Sequence, residues 1–197
     1  IPLHKPRALT VYHPQLSYCI SQYVEKDPDT IVTIVTGLVR YWPWSCSSKQ
    51  VLLLNELEEI MELCRGDQLT RVQDQLFQLL ALCLNSEHFQ VVERALYFWN
   101  SEHLCANILA QSKAHIFLPF IFGPLSKNAQ GHWNQTVESL AQSVLKMYME
   151  LDINLYDRCS REHNDKERTK QDLRTAANAK WVTITESASA KGVVCVE

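Results

Sequence analysis

The chain has 197 residues, 46% of them hydrophobic, which suits one globular domain and excludes wholesale disorder. Five glycines and seven prolines are too few for the regular turns of a sheet-rich fold, so the chain reads as mainly helical. The net charge of −3 divides unevenly: residues 1–157 carry 11 basic and 16 acidic side chains, whereas residues 158–180 carry seven and four. An acidic body of this kind argues against nucleic acid as a ligand, because such binding rests on neutralising phosphates.

In chain order, residues 13–26 place Leu16, Cys19, Ile20 and Tyr23 at helical spacing and predict one buried face. Asp27-Pro28-Asp29 breaks the chain and starts a helix over about 29–42, with Ile31, Ile34, Val35, Leu38 and Val39 on one side. Strand competes there on propensity, since the segment is rich in Ile, Val and Thr. Ser47-Ser48 opens a helix over 49–65 whose apolar face is Leu53, Leu57, Ile60, Met61 and Cys64; Gly66 reads as its C′ residue. Asp67 caps a helix to Asn85 with Val72, Leu76, Leu79, Leu80 and Cys83 inward. Ser86-Glu87 opens 88–100, with Val92, Ala95, Leu96 and Trp99 on one face, and Ser101-Glu102 starts a short helix to about 111. A helix over 113–127 is disturbed by Pro119 and Gly123-Pro124. From Gly131 a long helix carries Trp133, Val137, Leu140, Val144, Tyr148, Leu151 and Leu155.

Alternate helices start near 12, 49, 86 and 129, at intervals of 37, 37 and 43 residues. Two helices per interval is the period of an all-α, HEAT-like solenoid rather than of a four-helix bundle. The array is expected over residues 1–160, with a polar helical extension and a loose tail over 161–197. The basic stretch at 158–180 reads as a solvated helix face, the competing reading being a small nucleic-acid footprint. The beginning at Ile1-Pro2-Leu3 suggests a piece of a longer solenoid, so the first helix should lack a covering neighbour.

Signs of catalysis are missing. The glycines at 37, 66, 123, 131 and 192 are too dispersed for a phosphate-cradling or nucleophile-bearing loop. The histidines at 4, 13, 88, 103, 115, 132 and 163 form no pair at helical ligand spacing, so they read as capping or packing residues. Seven cysteines with no pair closer than 18 positions give neither a zinc knuckle nor a redox motif. Cys19, Cys64, Cys83 and Cys105 fall in apolar helical patterns as small hydrophobes, which fits a reducing compartment. No apolar run reaches 18 residues, so no membrane span is expected, and no cofactor or metal is called for.

Two features suit binding. Glu56, Glu58, Glu59 and Glu62 form the densest acidic cluster, either a solvated face or a docking surface for a basic partner. Trp42, Trp44, Trp99 and Trp133 each end or open a helix, where aromatics pack between repeats or anchor interfaces.

The stretches IPLHK at 1–5, YHPQLSYC at 12–19, YVEKD at 23–27, RYWP at 40–43, LNELEEI at 54–60, HFQVVERALYFWN at 88–100 and HWNQTVESL at 132–140 resemble, in order, the C-terminal part of the B′ (B56-type) regulatory subunits of protein phosphatase 2A. The resemblance covers roughly residues 1–160; Gly123-Pro124 and the ending KGVVCVE depart from the family pattern. It implies a HEAT-like, non-enzymatic subunit that binds the phosphatase scaffold and catalytic subunits and directs substrate choice and location, in the cytoplasm or nucleus. The family's pocket for short substrate motifs lies in earlier repeats. The alternative is a helical-repeat adaptor without phosphatase association. Resemblance and charge together assign partner binding to one continuous edge: Asn55, Glu56, Glu58 and Glu59, then His88-Phe89, then His132-Trp133.

Overall fold

The computed structural model describes residues 2–107 and 111–190; 85% of these are helical and none is in a strand. A 3₁₀ turn (Pro2–His4) precedes α1 (Leu9–Lys26), α2 (Thr30–Arg40), α3 (Ser47–Glu62), α4 (Gly66–Leu84) and α5 (Phe89–Leu96), which tightens into a second 3₁₀ turn at Tyr97–Asn100. Then follow α6 (Glu102–Asn107), α7 (Gln111–Ala129), α8 (Gln135–Leu151) and α9 (Ile153–Ala190). The chain divides into two compact units, Ile1–Tyr156 and Asp157–Glu197.

Within the first unit the helices stack in two rows. α1 packs on α3, α3 on α5 and α5 on α8, while α2 packs on α4 and α4 on α7. The first helices of successive pairs thus cover one another, as do the second helices, and this is the arrangement of an α-solenoid. It follows from apolar stripes wide enough to meet neighbours on two sides. The predicted faces of α3 and α4 are the buried ones, Leu53, Leu57, Ile60, Met61 and Cys64, then Val72, Leu76, Leu79, Leu80 and Cys83; of the α2 face, Ile31, Val35 and Leu38 are buried and Ile34 and Val39 half-buried.

The rows are joined by a column of rings. Phe77 of α4 stacks on Phe117 of α7 with centroids 4.1 Å apart. Phe117 stacks in turn on Trp99, 5.7 Å away and 6° from parallel. Trp99 is 7% exposed and donates its indole N–H to the Tyr148 hydroxyl of α8 at 3.1 Å. Polar ties fix the connections. Gln50 donates to the carbonyls of Pro43 and Trp44 at 3.0 and 3.1 Å, holding the loop before α3. Asn128 donates to the Leu84 carbonyl at 2.7 Å, satisfying an acceptor that the end of α4 leaves open. Gly131, at φ 106°, turns the chain from α7 into α8, a conformation that side chains with Cβ rarely adopt.

Several expectations are corrected. α1 does not bury Leu16, Cys19, Ile20 and Tyr23; it buries Leu9, His13, Ser17 and Val24, leaving Tyr18 and Tyr23 exposed. Hydrogen-bond partners on α3 draw that polar face inward. Gly66 opens α4 rather than closing α3, and the Gln68 side chain accepts the Arg65 N–H at 3.1 Å. The long helix from Gly131 is two helices, because Asp152 breaks it and its carboxylate caps the next by accepting the Leu155 N–H at 3.0 Å. The segment expected to be loose after Thr183 is helical through Ala190, with 191–197 outside the described residues. The short helix expected to reach about 111 is α6 as far as Asn107, and residues 108–110 of that expectation lie outside the described residues. Cys19 is exposed and Cys105 half-buried, unlike Cys64 and Cys83.

Trp99→Ala removes the ring that links three helices, and a loss of about 3–5 kcal/mol is expected in urea melts; a loss under about 1 kcal/mol would contradict its place in the core. Stability should also fall at high pH. Burial pushes the Cys83 thiol from 9.0 to about 12 and raises the Tyr148 phenol above its ordinary 10.0. Above pH 9 the unfolded chain loses the Cys83 proton while the folded chain keeps it, so unfolding is favoured by about 1.4 kcal/mol per pH unit as pH rises from 9 toward 12. Urea melts at pH 8, 9 and 10 should show a shallower decline for Cys83→Ala than for the parent; parallel declines would exclude the effect.

Candidate interaction surface

The acidic residues of α3 separate by helical position into buried ties and open carboxylates. Glu56 lies three residues after Leu53 and four before Ile60, on the apolar stripe, and it is 0% exposed. One oxygen accepts from His4 Nε2 at 2.9 Å and the other from His13 Nε2, also at 2.9 Å. Glu56 therefore belongs to no docking surface, which corrects its assignment to the outer edge. It binds the Pro2–His4 turn and α1 to α3. Asn55 and Glu58 are half-buried and both accept from the Arg94 guanidinium of α5. They tie α3 to α5.

Glu59 and Glu62 are exposed and accept only hydroxyls, from Ser17 at 2.7 Å and Ser101 at 3.1 Å. A groove of about 580 Å³ opens between α1 and α3, where Glu25, Glu59 and Glu62 stand with Pro14, Tyr18 and Leu63. No lysine or arginine lines it, so this is the part of the acidic cluster open to a cation.

The other expected residues meet at the starts of α5 and α8. Phe89 and Trp133 pack edge to face with centroids 5.2 Å apart, and the His132 ring stacks on Trp133 at 5.6 Å. His88 is exposed beside them, and Trp133 is 72% exposed. The cluster is held from below: His132 Nδ1 accepts the Asn134 N–H at 3.1 Å, and the Asn134 side chain caps α8 through Thr136 and Val137. The expected single edge is thus two surfaces. α3 and α5 run parallel with Asn55 beside Arg94, so Glu59 lies about 15 Å along the helix axes from the level of His88.

Among the tryptophans, Trp42 and Trp99 are in the core, whereas Trp44 and Trp133 are exposed at 61% and 72%. Among the described residues no group of His, Cys, Asp or Glu is arranged to hold a metal, and no helix is long and apolar enough to cross a membrane. Sequence reasoning missed the partnership of His4 and His13 with Glu56. The available signal was a glutamate on an otherwise apolar stripe.

Removing the buried carboxylate orphans two buried donors. Glu56→Ala should cost about 3–5 kcal/mol in urea melts, and Glu56→Gln less because an acceptor remains. A cost below about 1 kcal/mol for the alanine variant would contradict the buried tie.

Residues 1–188 match the family described as protein phosphatase 2A regulatory B subunit (B56 family), which carries the likeness beyond the last motif at 132–140 and into α9. The chain is 43% identical over 189 residues to the B′ beta isoform of the 57 kDa protein phosphatase 2A regulatory subunit of Arabidopsis thaliana, covering 96% of this chain and 38% of that protein. It is 45% identical over 186 residues to the 59 kDa B′ eta isoform of the same organism, covering 94% and 36%. With the human beta isoform of the 56 kDa regulatory subunit, it shares 44% identity over 157 residues, covering 80% and 31%. The chain therefore spans little more than a third of the length of such relatives, and it belongs to the B56 family of protein phosphatase 2A regulatory subunits.

Proposed function

We propose that this chain acts as a regulatory, non-catalytic module of protein phosphatase 2A that binds the scaffold and catalytic subunits and contributes to substrate choice and location. The observation that carries the reading is the 43–45% identity to named B′ regulatory subunits over nearly the whole chain. The two surfaces divide the work. The Phe89–Trp133–His132 cluster offers an exposed aromatic anchor on a capped, pre-organised turn, the kind of residue that carries binding energy. The carboxylates Glu25, Glu59 and Glu62 meet a basic partner surface and speed association. Cys19, Cys46, Cys83, Cys105 and Cys159 are free thiols, which suits the cytoplasm or nucleus as the place of action.

The experiment is a titration of the purified chain against the scaffold–catalytic heterodimer on a biosensor. Saturable binding is expected, weaker than that of a full-length relative. Trp133→Ala should weaken it by about tenfold or more. Glu59→Lys with Glu62→Lys should act mainly by slowing association, with the difference vanishing at high salt. No binding by the parent chain would favour a helical-repeat adaptor without phosphatase association. Binding unchanged by all three substitutions would remove these surfaces from the interface.

A further inference from the structure

A second cavity, of about 240 Å³, is lined by His4, Lys5, Tyr41, Pro43, Lys49 and Leu53. Its charge is one-sided: two lysines face it and no carboxylate lines it. Lys49 donates to the carbonyls of Lys5 at 2.8 Å and His4 at 3.4 Å, so its ammonium is fixed by neutral acceptors and keeps a third N–H. The Lys5 ammonium rests 4.3 Å from the centre of the Tyr41 ring, and the Arg40 guanidinium lies 5.7 Å from the same ring. Neither lysine has a carboxylate partner among the described residues.

His4 forms part of the wall. It is 7% exposed, its Nε2 is engaged by Glu56, and its Nδ1 is buried without a partner. Glu56, the carboxylate that pairs with His4, is shared between two imidazoles and does not line the cavity. The first turn of α3 adds to the same field, because Cys46 caps it without a side-chain hydrogen bond and Lys49 sits within it. The Cys46 thiol is held below its ordinary 9.0 by the Ser48 hydroxyl, by the Lys49 backbone N–H and by the Lys49 charge, as expected of a positive locality.

We propose that this cavity is a binding site for a phosphate group, with Lys5 and Lys49 as its cationic walls and His4 at its base. Two lysines on one small cavity with no lining carboxylate call for an anion, and lysine binds phosphate as a point charge. Free phosphate and a phosphorylated side chain share this chemistry.

The test uses the isotope-labelled full chain at constant ionic strength, titrated separately with inorganic phosphate, a short phosphoserine peptide and acetate. Saturable shifts of the Lys5, Tyr41 and Lys49 amides are expected with both phosphate probes and not with acetate. Tighter binding of the peptide identifies a phosphorylated segment as the source, and equal or weaker binding identifies the free ion. Lys5→Gln, at an exposed position, should weaken phosphate about tenfold without moving the unfolding midpoint. Lys49→Arg should retain binding that Lys49→Gln loses. Absence of saturable shifts, equal shifts with acetate, or unchanged affinity in folded Lys5→Gln would each overturn the site.

Discussion

The stack Phe77–Phe117–Trp99–Tyr148 joins helices that lie far apart in sequence and belong to both rows of the solenoid. A solenoid has no closed core; each repeat touches only its neighbours, so contacts that cross from row to row fix the angle between them. Here the crossing is made by large rings with one buried hydrogen bond, which combines apolar burial with a directional constraint. The 3₁₀ turn at Tyr97–Asn100 exists to present Trp99 at that crossing. Because α5 and α8 are held through the column at their far ends, their starts are also held, and Phe89 meets Trp133 in a defined geometry.

The same row is stitched by charge. α3 uses its polar residues in both directions, toward α1 through Glu56 and Glu59 and toward α5 through Glu58 and the amide of Asn55. A buried carboxylate between two imidazoles is weak evidence for stability, because desolvation offsets much of the attraction. Its value is register: slipping α1 by one turn would leave Glu56, His4 and His13 unpaired in the interior. That register positions residues of both cavities, His13 and Ser17 beside Glu59 in the acidic groove and His4 beside Leu53 in the lysine-lined one.

How much was legible in the sequence follows from where each signal resides. The faces of α2, α3 and α4 could be read because aliphatic side chains recur at 3.6-residue spacing and bury themselves whatever they face. The repeat spacing gave the row arrangement for the same reason. α1 failed because its buried face is polar: His13 and Ser17 are interior only by virtue of Glu56 and Glu59, some forty residues away. The break at Asp152 was hidden by apolar periodicity running across it, although a capping aspartate stood in plain view. Of the expected interaction residues, Phe89, His132 and Trp133 do meet, whereas Glu56 is internal; nothing in residue type alone separates Glu56 from Glu59.

The claim on which the rest depends is that Trp99 and Tyr148 act as one coupled unit between the rows. A double-mutant cycle with Trp99→Phe and Tyr148→Phe, read as unfolding free energies in urea, tests it most directly. The account predicts a coupling energy of about 1 kcal/mol or more, with the double variant less destabilised than the sum of the singles. Additive losses would contradict the coupling, and with it the view that this column sets how the starts of α5 and α8 meet.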